Sequence, residues 1–103
     1  MGTWKEAADV SEFASTDRKL VDFGGTLQIG LYKIGEEFLA TSAWCSHQRA
    51  IIVHGDITNG EIECPLHAAR FDLRTGKNLC LPAVRPIARY DVKVENGKIF
   101  INV

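Results

Sequence analysis

The side chains best suited to chemistry fall in two short stretches, Cys45-Ser46-His47 and Cys64-Pro65-Leu66-His67. Sixteen residues separate His47 from Cys64, and each stretch offers one thiol and one imidazole. Two thiolates and two neutral imidazoles are soft or borderline donors, enough to close a metal site. A single zinc ion accepts this set tetrahedrally, but zinc arms usually pair Cys with Cys and His with His. Here each arm carries one of each. Mixed arms suit a [2Fe–2S] cluster in which one iron takes both thiolates and the other takes both imidazoles. Such a cluster is formally neutral when oxidised, whereas its all-cysteine counterpart is dianionic. It therefore takes up an electron more readily, and histidine ligation raises its potential.

Residues 45–75 closely resemble the cluster-binding region of Rieske iron–sulfur proteins, and the resemblance extends more weakly over most of the chain. It implies an all-β Rieske fold occupying residues 1–103 as one domain, with antiparallel sheets carrying two loops that form a cluster-binding tip. It also implies one cluster per chain, with Cys45, His47, Cys64 and His67 as ligands. High-potential family members carry an extra cysteine on each arm, and these two form a disulfide; Ala50 and Leu66 stand at those positions here. Such members also aim a serine and a tyrosine hydroxyl at the cluster sulfurs from the second arm. This chain has Ala68, Ala69 and Phe71 in that stretch, and no hydroxyl until Thr75. Fewer hydrogen bonds to sulfur lower a potential, so the expectation is the bottom of the Rieske range, about −150 mV. Ala68 follows the second histidine where the family usually has glycine, and the first loop reads Gln48-Arg49-Ala50.

The whole chain looks like the ferredoxin component of a bacterial aromatic-ring-hydroxylating dioxygenase system. That resemblance implies a soluble one-electron carrier and not an enzyme in its own right. A NAD(P)H-dependent ferredoxin reductase would load it, and it would reduce a terminal Rieske non-haem iron oxygenase. At this length there is no room for a flavin, a nicotinamide site or a mononuclear iron site. The alternative is the small Rieske-like subunit of an assimilatory nitrite reductase. A third possibility is a structural zinc module that binds another protein.

Composition bounds these readings. The 103 residues are 46% hydrophobic with a net charge of −1, so the chain is globular and has no electrostatic case for nucleic acid or an anionic membrane. No apolar run approaches a membrane span, and the N-terminus lacks the apolar stretch of a signal peptide. Gly2 does not open a myristoylation site, because Glu6 stands where Ser or Thr is needed. The expectation is a cytoplasmic protein. Of the three cysteines, Cys80 lies between Leu79 and Leu81 and reads as a buried small hydrophobe.

The elements that must position the two arms are short. Trp4–Ala7 opens a strand, and Asp9–Phe13 reads as one helical turn with Glu12 completing a capping box. Thr26–Lys33 and Phe38–Thr41 form a hairpin about Gly35-Glu36, after a turn at Asp22–Gly25. Asn59-Gly60 is the strongest hairpin signal and leads into Glu61–Glu63, which delivers Cys64. Ala69–Leu73 is a strand ended by Thr75-Gly76, and Pro82 and Pro86 bracket an extended link. Arg89–Glu95 and Lys98–Val103 close the chain as a hairpin about Asn96-Gly97, with Ile99, Ile101 and Val103 on one face. Around the arms, Trp44 reads as packing, Asp72 as the residue that holds the turn before Gly76, and His54 as a solvated loop histidine. Arg49 and Arg70 are solvated charges that could steer an acidic partner.

Overall fold

The structure, a computed structural model, describes residues 2–45, 51–65, 69–80 and 85–103. Its regular elements are β1 (Trp4–Asp9), a 3₁₀ turn (Val10–Phe13), β2 (Arg18–Asp22), β3 (Gln28–Ile34), β4 (Glu37–Ser42), β5 (Ile57–Thr58), β6 (Glu61–Glu63), β7 (Arg70–Asp72), β8 (Arg89–Tyr90), β9 (Val92–Glu95) and β10 (Lys98–Asn102). They pair antiparallel into three sheets, β1-β10-β9, β2-β3-β4-β8 and β5-β6-β7. Among the described residues no helix is long and apolar enough to cross a membrane.

Turn chemistry sets the hairpins. Asn59 and Gly60 both take positive φ (53° and 78°), as do Asn96 and Gly97 (53° and 75°). That is the backbone a two-residue turn between right-twisted strands requires. The capping box also forms: the Asp9 N–H donates to Glu12 Oε2 at 2.8 Å, and Lys19 Nζ donates to Glu12 Oε1 at 2.8 Å. The Lys19 bond first, and the Asp9 N–H second, hold the Glu12 carboxyl below its ordinary range.

Two cores result. Phe13, Val21, Ile29, Leu31, Ile99 and Ile101 fill the space between the first two sheets. Tyr32, Ile52, Val53, Ile62, Phe71 and Leu73 fill a second core under the third sheet, together with Cys45 and Cys64. Strand β3 serves both, because alternate residues of a strand face opposite ways. Ile29 and Leu31 enter the first core and Tyr32 the second. This explains why β3 alternates imperfectly in sequence: Ile29 to Tyr32 are all buried.

One strand is unforeseen and one expectation changes. Arg18–Asp22 is a strand the sequence hides, since Val21 is its one buried residue. Arg89–Glu95 is two strands in two sheets. Tyr90 and Arg89 pair with Ala40 and Thr41, whereas Val92 to Glu95 pair with β10, and the chain changes sheet at Asp91. The extended link expected at Pro82 lies outside the described residues.

Candidate metal centre

At each arm the described backbone closes a neck beside the second core. At the first, Trp44 bridges Ile51, and the Ile52 N–H donates to the Ala43 carbonyl at 2.8 Å. Cys45 sits just inside that neck, 5% exposed. At the second, the β6–β7 hairpin ends at Glu63 opposite Arg70, and the Cys64 N–H donates to the Ala69 carbonyl at 2.6 Å. Cys64 is 1% exposed. The two thiols thus share one apolar core, and in sequence each precedes a histidine, Cys45 by two residues and Cys64 by three.

The donor chemistry fits a metal group. Charge placed in an apolar core must be paired or coordinated, and two thiolates entering such a core together are natural ligands for one. His47 and His67 lie outside the described residues, as do Arg49, Ala50, Leu66 and Ala68. Among the described residues no three Cys, His, Asp or Glu side chains gather into a site, and of the four expected ligands Cys45 and Cys64 are described.

The surrounding residues separate into three kinds. Asp72 does what its position in the sequence suggests: its Oδ1 accepts the Arg74 N–H at 2.8 Å and the Thr75 N–H at 3.3 Å, fixing the turn after β7. Trp44 is half-buried, and its indole N–H donates to Gln28 Oε1 at 3.0 Å, tying the first neck to β3. His54 and Arg70 are exposed, and Arg70 lies 3.5 Å from Glu63 and 3.9 Å from Glu61. No hydroxyl enters the core from residues 69–75: Ala69 and Phe71 are fully buried and Thr75 is exposed.

Cys80 corrects an expectation. It is exposed rather than buried between its leucines. The segment runs along the outer edge of β7, with Asn78 bridged to Phe71 and the Leu79 N–H donating to the Arg70 carbonyl. Leu73 and Ile87 already fill the core beneath, so Leu79 itself is 40% exposed.

Two residues at the seam between the cores escaped sequence reading. Arg18 Nη1 donates to the carbonyl of Val53 at 2.9 Å and to that of Gly55. Beside Asp17 in a charged run it looks solvated, and only the pairing of Arg18 with Tyr32 across β2–β3 turns it inward. Tyr32 is fully buried, and its hydroxyl has no hydrogen-bond partner within normal geometry. Burial pushes its phenol up to about 12, against smaller opposing effects of the Thr41 hydroxyl and the Arg18 charge.

The chain is similar to known proteins. Residues 3–91 match the Rieske [2Fe-2S] domain family. The chain is 49% identical over 76 residues to the 3-phenylpropionate/cinnamic acid dioxygenase ferredoxin subunit of Escherichia coli (strain K12), covering 73% of this chain and 72% of that one. It is 39% identical over 100 residues to the ferredoxin component of the naphthalene 1,2-dioxygenase system of Pseudomonas putida, covering 97% and 95%. A chain of the complex of reduced oxygenase and oxidized ferredoxin in carbazole 1,9a-dioxygenase superposes with a TM-score of 0.91 at 25% identity, covering 99% of this chain and 94% of that one.

Proposed function

Because the chain belongs to the Rieske [2Fe-2S] domain family, we propose that it is a one-electron carrier, the ferredoxin component of an aromatic-ring dioxygenase system. The observation that carries this reading is the pair of thiols buried in one core, each followed within three residues by a histidine in sequence. Nearly the whole chain aligns with a ferredoxin component, so residues 1–103 are taken as one carrier domain.

Cys45 and Cys64 supply the thiolates to one iron, and His47 and His67 supply the imidazoles to the other. When bound, the cluster takes up and releases one electron at a time. The chain's own part is to hold that group still and dry on its inner side. The necks at Ala43–Ile52 and Cys64–Ala69 fix the two arms, and Ile52, Ile62 and Phe71 exclude water behind the sulfurs. With Ala69 and Phe71 offering no hydroxyl, the potential sits at the low end of the Rieske range, about −150 mV.

The partners are a NAD(P)H-dependent ferredoxin reductase and a terminal Rieske non-haem iron oxygenase. A carrier must leave each as readily as it arrives, so both encounters are small and transient. The work is done in the cytoplasm, where the reductant is made.

The test is an EPR spectrum of the dithionite-reduced protein, with iron and acid-labile sulfide assayed on the same sample. The expected result is a Rieske-type signal with two irons and two sulfides per chain, and a midpoint potential near −150 mV by redox titration. A colourless, EPR-silent protein holding zinc would overturn the carrier reading, and a potential well above zero would overturn the account of its tuning.

A further inference from the structure

We infer that Arg18 is a positioning residue for the metal centre: it pins the turn at Val53–Gly55, against which the two cysteine arms are spaced. The inference rests on the proposed site, and its evidence lies at the seam between the two cores.

The turn lies between the arms. Val53 follows the neck of the first arm and is fully buried. The Gly55 N–H donates to the Ile52 carbonyl at 2.8 Å, which closes the turn. A Cβ on Gly55 would stand 1.8 Å from the carbonyl oxygen of Glu63, the residue before Cys64. The Glu63 N–H in turn donates to the Asp56 carbonyl at 2.9 Å. Glycine is needed here because two backbones touch. The root of the second arm therefore rests on the turn that ends the first.

Arg18 reaches this turn from the other sheet. Its side chain is 22% exposed, and Asp17 engages Nε at 2.9 Å on the outer side. That leaves Nη1 aimed at the carbonyls of Val53 and Gly55. Both are charge-assisted hydrogen bonds, stronger than neutral ones and sensitive to donor geometry. These two bonds tie the turn to β2, whose Arg18 lies opposite Tyr32 on β3.

The experiment compares the purified full-length protein with Arg18→Met, which keeps the packed stem, and Arg18→Lys, which restores a cationic donor. Amide hydrogen exchange is followed at Gly55 and Glu63, with β10 as internal reference, and the reduced EPR spectrum is recorded in parallel. In Arg18→Met, exchange at Gly55 and Glu63 should rise about tenfold, or about 1.4 kcal/mol of local opening. The amides of β10 should not move, and the EPR lines should broaden as the sulfur positions spread. Arg18→Lys should recover most of both effects. Exchange that rises equally in β10, or not at all, would overturn the inference, as would a Lys variant no better than Met. Should the wild-type protein carry no iron, the carrier reading fails, while the exchange comparison on the same protein still decides the role of Arg18.

Discussion

Ile29 and Tyr32 lie three residues apart on one strand and belong to different cores. The core of Ile29 is walled by two sheets whose strands are mostly four to seven residues long. Ion pairs such as Lys19–Glu12 and Lys98–Asp9 stand at its solvated rim, where they add little. The core of Tyr32 is covered by strands of two or three residues, and its order comes from turns and closed loop necks. Cys45 and Cys64, the proposed thiolate ligands, are part of its wall. The difference teaches where folding and function meet. The first core is built of hydrophobic residues; on the proposed ligand assignment the second would also gain from what its thiols hold, because a ligand bound only by the native state adds to stability.

The sharpest way to break this contrast is to remove a thiol. Cys64→Ala should abolish the cluster, giving no iron above background and no Rieske EPR signal. Exchange protection should fall across β5–β7 and persist across β1 and β10. Equal loss in all of them would mean that the two cores form one cooperative unit. Ile99→Ala attacks the other side. Ile99 is fully buried between the first two sheets, so the substitution should cost about 2–4 kcal/mol, read as a lower urea midpoint. Iron per folded chain should stay at the wild-type value.

How much of this was legible follows the same division. The hairpins at Asn59-Gly60 and Asn96-Gly97 announce themselves, since both residues must take positive φ and few others do so cheaply. Cys45 and Cys64 stand out by ligand type and spacing, and both lie in one core. Strand β2 was illegible because its inner face holds one buried residue, Val21, so no alternation develops. The exposure of Cys80 was illegible for the opposite reason. Its leucine neighbours promise a core position, but the tertiary packing of Leu73 and Ile87 had taken the space. Arg18 and Tyr32 could be read only through the β2–β3 register, a long-range fact that local sequence does not contain.

Tyr32 gives the smallest effect and the finest test of the seam. Its hydroxyl is buried without a hydrogen-bond partner, and burial raises its phenol to about 12 from an ordinary value of 10.0. The unfolded chain therefore releases this proton at a lower pH than the folded one does. Between those two values the folded state holds the extra proton, so stability is fully present below pH 10 and falls as pH rises toward 12. The loss should amount to about 3 kcal/mol, since each unit of displacement is about 1.4 kcal/mol. Tyr32→Phe removes the titrating group and the unsatisfied hydroxyl together. At neutral pH it should change stability by less than about 1 kcal/mol, in either direction, because no hydrogen bond is lost. In urea titrations at stepped alkaline pH, the variant should lack the part of the wild-type decline due to this phenol. A decline of equal steepness in both would show that the hydroxyl is solvated in the folded protein, and that the seam beneath the metal centre is open to water.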